Sequence, residues 1–160
     1  MTNIWPLQRD AAAFYGEPWL PGWLHDCTID VPCPWPLRGC PQHILIHKKC
    51  RESLYRVLNA IWDAVGHNFE TIQRLRYDRF DGSYCYRPIR GGDGRHLSMH
   101  SYAAALDFDA EDNQQHSQHH LFQDDSLIVK CFEAEGWIWG GRWSPGSIDS
   151  MHFQAVRIHS

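Results

Sequence analysis

Apolar residues recur at helical spacing most clearly between Lys48 and Val65, where Leu54, Val57, Leu58, Ile61, Trp62 and Val65 fall on one face and Gly66 follows as a stop. A second short helix is expected over Glu70 to Leu75. Another begins at Asp125 or Ser126 as cap, runs through Leu127, Ile128, Cys131 and Phe132, and stops at Gly136. Strand patterns are shorter. HILIH (43–47) reads as a strand, SYCYRPI (83–89) alternates, and WIWGG and MHFQAVRI read as closing strands. Over Ala105 to Asp109, Leu106 and Phe108 face one way while Asp107 and Asp109 face the other. Residues 17 to 42, rich in Pro, Gly and Trp, read as irregular chain wrapped over a core, and the polar stretch from Glu111 to Gln123 reads as a mobile loop. Helices precede strands, so the expected class is α+β.

The 160 residues suit one domain spanning 1–160, with 43% apolar and 21% charged residues. Eight tryptophans are unusual, and the core is the ordinary place for any one of them. A net charge of −4 argues against a nucleic-acid footprint and against an anionic membrane surface as partner. No apolar run has the length of a spanning helix. The opening MTNIWPLQRD lacks the charged-then-apolar pattern of a signal peptide, so synthesis in the cytoplasm is expected, with free thiols rather than disulfides for the six cysteines.

Three short pieces carry candidate chemistry. Ser98-Met99-His100 is followed seven residues later by Asp107, and Asp149-Ser150-Met151-His152 comes near the end. Hydrolytic zinc sites commonly use three N or O ligands and leave one position for water. Two neutral imidazoles and one carboxylate would leave the site net positive, and zinc lowers the pKa of its water to roughly 7. Asp149, three residues before His152, could then take the proton without binding the metal. Each pair alone is a pattern that arises often by chance.

Together the pieces are specific. S-x-H-S-Y-x-x-A-x-D (98–107), G-W-I-W-G-G-x-W (136–143) and D-S-M-H-F (149–153), in this order, resemble the M15 family of zinc peptidases. That family holds D-Ala-D-Ala carboxypeptidases and dipeptidases and L-alanyl-D-glutamate endopeptidases, including phage endolysins. The resemblance covers about Tyr84 to Gln154, with a weaker match at Ala13-Phe14-Tyr15-Gly16 to the phage-type members. It implies a Hedgehog/DD-peptidase-like fold, a small antiparallel sheet with helices against it. It implies Zn2+ held by His100, Asp107 and His152, with Asp149 as acid/base and Arg87 steadying substrate and oxyanion. Arg90 competes for the last role but sits beside Gly91-Gly92 in an expected turn. An Asp at 149 favours the endopeptidase branch. The family usually has Gly where this chain has Ala103, and a Gly needed there for positive φ would leave Ala strained.

The implied activity is hydrolysis of an amide bond in peptidoglycan stem peptides by a monomeric endolysin, released from the host cytoplasm through a holin-like pore to act in the periplasm or cell wall. No separate wall-binding domain is expected in 160 residues. The alternatives are a D,D-carboxypeptidase or dipeptidase, and a zinc-bearing binding module that has lost catalysis, against which Asp149 and Arg87 weigh. A second zinc set, Cys40, His43, His47 and Cys50, has its histidines on one strand face but lacks a CxxC knuckle. His116, His119 and His120 read as exposed loop residues, and Asp109, Glu111 and Asp112 as a solvated edge whose spacing misses a calcium loop.

Overall fold

The computed structural model describes residues 4–39 and 42–158. The elements are α1 (Ala11–Tyr15), α2 (Trp23–Cys27), β1 (Thr28–Pro32), β2 (His43–His47), α3 (Arg51–Ala64), α4 (Phe69–Leu75), β3 (Phe80–Gly82), β4 (Ala105–Phe108), α5 (Leu127–Ala134), β5 (Ile138–Trp139) and β6 (His152–Gln154). Short 3-10 turns at Met99–Tyr102 and Gly140–Arg142 precede β4 and follow β5. Strands β1 and β2 form an antiparallel pair, and a four-stranded antiparallel sheet has the order β3-β4-β6-β5. This mixture of helices with small antiparallel sheets is α+β.

The long helix forms where expected. Leu54, Val57, Leu58 and Ile61 are buried along α3, each fully buried side chain worth roughly 1.5–3 kcal/mol relative to exposure. Gly66 follows with φ 67°, which costs glycine little. Asn68 caps α4 by accepting from the Thr71 N–H at 3.0 Å. The sheet meets the helices through aromatic side chains: Phe132 of α5 stacks on Phe153 of β6 at 4.4 Å and meets Trp137 edge-on at 5.1 Å. Trp5, Trp23, Trp35, Trp137 and Trp139 are buried, while Trp19 is exposed. Among the described residues no helix is long and apolar enough to cross a membrane, and the five described cysteines are all unpaired.

Several expectations fail, each for a traceable reason. Residues 17 to 42 are not all irregular, since they contain α2 and β1. The segment Thr28–Pro32 is stabilised as a strand by HILIH, a partner distant in sequence that propensity cannot supply. SYCYRPI is not a strand, and β3 instead precedes it. Its backbone pairs with the turn at Met99–Tyr102: the Cys85 N–H donates to the His100 carbonyl, and the Ser98 N–H to the Arg87 carbonyl. Strand β4 stops at Phe108, because Asp109 turns into the left-handed region at φ 48° and is buried rather than facing out with Asp107. The Glu111–Gln123 stretch has no regular structure but is pinned at buried Asn113, whose Oδ1 accepts from the Phe122 N–H at 2.8 Å.

Candidate metal centre

Strand register places the first two groups of the centre. Asp107 lies directly opposite His152 across the β4–β6 ladder, as Ala105 lies opposite Gln154. On β4 the apolar Leu106 and Phe108 go wholly into the core, so the pleat turns Asp107 to the other side. His100 comes from the 3-10 turn, which Ser98 opens by accepting from the His100 N–H. That turn ends at Ala103, with φ 51° and ψ 37°, and the chain then enters β4. Ser101 is fully buried, and its hydroxyl accepts from the Arg87 N–H at 3.0 Å and faces the Arg87 carbonyl at 3.0 Å. The SxHS segment therefore sets both a ring and the chain beside it.

The three side chains converge. One ligand-type atom from each of His100, Asp107 and His152 lies within 4.8 Å of the others. His100 Nε2 is 3.2 Å from Asp107 Oδ2, and His152 Nδ1 is 3.2 Å from Asp107 Oδ1. Outer partners set the tautomers. His100 Nδ1 lies 2.8 Å from the Ser83 carbonyl, which can only accept, so that nitrogen carries the hydrogen. Gln154 donates its amide to the Val156 carbonyl at 3.0 Å, leaving its Oε1 to accept from His152 Nε2 at 2.8 Å. In the neutral rings, His100 Nε2 and His152 Nδ1 thus present lone pairs toward the Asp107 carboxylate. Three acceptors facing one another favour a cation among them, and two imidazoles with one carboxylate suit a borderline metal ion such as zinc. The donor set fits the group that the sequence implies.

When the rings are protonated, the same nitrogens donate to the carboxylate instead. Burial raises the Asp107 carboxyl, but these contacts with His100 and His152 outweigh it and hold the group well below the usual carboxylate range. Burial likewise works against a charged His152, yet its contact with Asp107 and the charges of Asp107 and Asp149 lift its pKa above the ordinary value.

Asp149 stands beside the cluster, its Oδ2 4.0 Å from His152 Nδ1 and its Oδ1 buried without a hydrogen-bond partner. Burial raises its pKa; the Asp107 charge adds to this, while His152, His100 and His116 oppose it. The G-W-I-W-G-G-x-W segment explains its position. The Gly140 carbonyl accepts from the Asp149 N–H at 3.0 Å, and a Cβ on Gly140 would overlap the Asp149 carbonyl. A Cβ on Gly141 would overlap the Trp139 ring, whose indole N–H donates to the Ser150 carbonyl at 2.7 Å. Trp143 closes on His152 at 5.5 Å between ring centroids, and its own N–H has no partner among the described residues.

All four groups line one cleft of about 770 Å³, and Arg87 and Arg90 line it too. Arg87 is half-buried, with its guanidinium 3.2 Å from the Pro88 carbonyl; Arg90 is exposed in the turn with Gly91, at φ 76°. Ser83 and Gln154, which orient the two imidazoles, escaped the sequence reading. Nothing in the sequence marks Ser83, whereas Gln154 stands two residues after His152 on the same strand face, a spacing that could have found it.

Among the described residues the other clusters do not assemble. Cys40 lies outside the described residues. Both ring nitrogens of His47 are engaged, Nδ1 accepting from the Lys49 N–H and Nε2 donating to the Tyr15 carbonyl. Cys50 is buried against the Tyr15 hydroxyl, and burial pushes its thiol up to about 12. Glu111 pairs with Arg79 and Asp112 with Arg76, and among the described residues neither forms a metal cluster with Asp109.

Residues 91–155, fewer than half of the chain, match the family model described as D-alanyl-D-alanine carboxypeptidase, so this segment is similar to the M15 peptidases. No curated protein and no solved structure matches the chain. The matched segment contains His100, Asp107, Asp149 and His152 and ends one residue after Gln154.

Proposed function

We propose that this protein is a zinc metallopeptidase that hydrolyses an amide bond in the stem peptides of peptidoglycan. The observation that carries the reading is the convergence of His100, Asp107 and His152 beside an unpaired, buried Asp149 in one cleft. His100, Asp107 and His152 would hold the ion. When bound, zinc acts as a Lewis acid that activates water at neutral pH. The Asp149 carboxylate, whose Oδ2 lies toward His152, accepts the proton of the attacking water and returns it to the leaving amine, so the protein is unchanged at the end of the cycle. The Arg87 guanidinium stabilises the negative oxygen that forms as water adds to the amide carbon. The apolar wall of Trp139, Trp143 and Met151 excludes bulk water and strengthens these charge interactions.

The preferred bond is that between L-Ala and D-Glu, because an Asp rather than a Glu stands at 149, and the preferred setting is a phage-type endolysin of the Hedgehog/DD-peptidase fold. A second reading, removal of the terminal D-Ala, is favoured by the description of the family model. Digestion of purified muropeptides followed by mass spectrometry separates them: new D-Glu N-termini support the endopeptidase, free D-Ala the carboxypeptidase. Intact muropeptides after incubation with zinc-loaded protein would overturn both.

A further inference from the structure

The cleft that holds the metal centre is also lined where the N-terminal segment crosses the chain just after β6, at Gln8 and Ile158. Arg157 lines the cleft there. It is held by two backbone hydrogen bonds and one from its own side chain: its N–H donates to the Pro6 carbonyl at 2.8 Å, its carbonyl accepts from the Gln8 N–H at 2.8 Å, and its Nε donates to the Trp5 carbonyl at 2.8 Å. Trp5 is itself fixed, 2% exposed, with its indole donating to the Glu135 carbonyl at 3.0 Å. The clamp on Nε sets the plane of the guanidinium and leaves the two terminal amino groups to bind something else. The contrast with Arg142 in the same cleft is informative, since Glu133 meets Arg142 with two hydrogen bonds of 2.6 and 2.9 Å. Among the described residues no carboxylate pairs with Arg157. The two backbone bonds to Pro6 and Gln8 would keep the N-terminal segment in place without this side chain. A fork-shaped cation, oriented in advance and lacking an acidic partner, is suited to a planar carboxylate.

We propose that Arg157 is the carboxylate anchor of this cleft, gripping an acid group of the peptide substrate while the amide to be cut lies at His100, Asp107 and His152. The anchor rests on the peptidase reading above. Arg157 stands five positions after His152, so their Cα atoms are at most roughly 18 Å apart, within the span of a peptide of about five residues. Orientation by a fixed remote group lowers the entropy lost when the scissile amide is placed.

The test uses zinc-loaded full-length protein and two synthetic probes, L-Ala-γ-D-Glu-L-Lys-D-Ala with free carboxylates and the same peptide with every carboxylate amidated. Wild type should prefer the free acid by about 10–100-fold in kcat/KM, expressed mainly in KM. Arg157→Gln should reduce that preference to near unity, with kcat changed by less than about threefold and zinc content intact; Arg157→Lys should retain part of it. The acid-to-amide ratio is taken within one protein, so a partly destabilised variant does not confound it, and the wild-type ratio needs no variant. An active wild type without preference, or an Arg157→Gln protein that keeps it, overturns the anchor alone. Zinc-loaded wild type that cleaves neither probe overturns the peptidase reading, and the anchor with it.

Discussion

Asp107 and His152 face each other across two adjacent antiparallel strands, with Asp107 Oδ1 3.2 Å from His152 Nδ1. Two of the three converging groups come from one cross-strand pair and are held by the ladder itself, and only His100 must be brought in by a turn. Protein purified without added metal should therefore carry about one equivalent of zinc by elemental analysis. Asp107→Ala and His152→Ala should each lose it, since two remaining ligands hold the ion poorly. Wild type without zinc, or a His100→Ala protein indistinguishable from wild type, would remove the site.

Gln154 tests whether the outer hydrogen bonds matter as well as the ligands. Gln154→Leu keeps the bulk of a side chain that is 2% exposed but removes the acceptor for His152 Nε2. The ring then loses the bond that selects its Nδ1 lone pair. Zinc affinity measured by chelator competition should fall by about 10–100-fold, the usual effect of losing such a partner. Unchanged affinity would show that the strand pair alone orients His152.

The convergence of three metal-binding side-chain types was legible because they sit in short motifs whose order and spacing the strands preserve. His100, Asp107 and His152 meet as the motifs imply, and the α3 helix follows from periodicity alone. What sequence could not show depends on contacts between distant segments. Strand β1 exists because β2 pairs with it, and the 83–89 segment stays irregular because Ser101 and His100 use its backbone groups. Arg157 lies outside every motif, and its place in the cleft depends on a segment some 150 residues earlier.

Ala103 stands where the M15 motif that this segment resembles usually has Gly, and it does adopt the left-handed conformation. For an L-residue that conformation costs roughly 1–2 kcal/mol, which glycine avoids. Its methyl, however, is completely buried, worth about 0.8 kcal/mol, and glycine adds chain entropy to the unfolded state. These terms nearly cancel, so Ala103→Gly should fall within about 1 kcal/mol of wild type in denaturant melts and keep its zinc. Ala103→Val has the strain of a branched side chain at positive φ and no space, and should lose about 2 kcal/mol or more together with zinc affinity. A tolerated valine would show that the turn between His100 and Asp107 is plastic.

Glu135 gives the fold an acid-sensitive joint. Its carboxylate accepts from Arg56 at 2.8 Å and from the Ser53 hydroxyl at 2.9 Å, and Ser53 in turn accepts from the Trp137 indole at 2.8 Å. The Arg56 hydrogen bonds, aided by Ser53 and opposed by burial, hold the Glu135 carboxyl below its ordinary value. A carboxyl depressed on folding contributes stability above its unfolded pKa and loses it as pH falls through the lower folded value. Glu135→Gln should cost about 1 kcal/mol at pH 7, where the half-exposed Arg56 limits the gain, and the difference from wild type should shrink in mildly acidic melts. A gap independent of pH would mean the joint works through packing alone.

Asp149 separates proton transfer from metal binding. It stands near the cluster, 4.0 Å from His152, yet is absent from the three groups whose atoms converge. Asp149→Asn preserves size and, with it, the backbone bond to Gly140. The amide cannot accept the water's proton at neutral pH. Zinc content and melting temperature should stay near wild type while turnover falls by about 10²–10⁴-fold, the usual worth of a positioned acid/base. The structural alternative is that Asp149 serves the turn before β6, whose His152 N–H donates to the Asp149 carbonyl at 3.2 Å. That bond comes from the backbone, and Asn serves a turn about as well as Asp, so a purely structural role predicts little loss. An Asp149→Asn protein with full zinc and near-normal turnover would mean that another group takes the proton; one that loses zinc would mean that Asp149 is a fourth ligand.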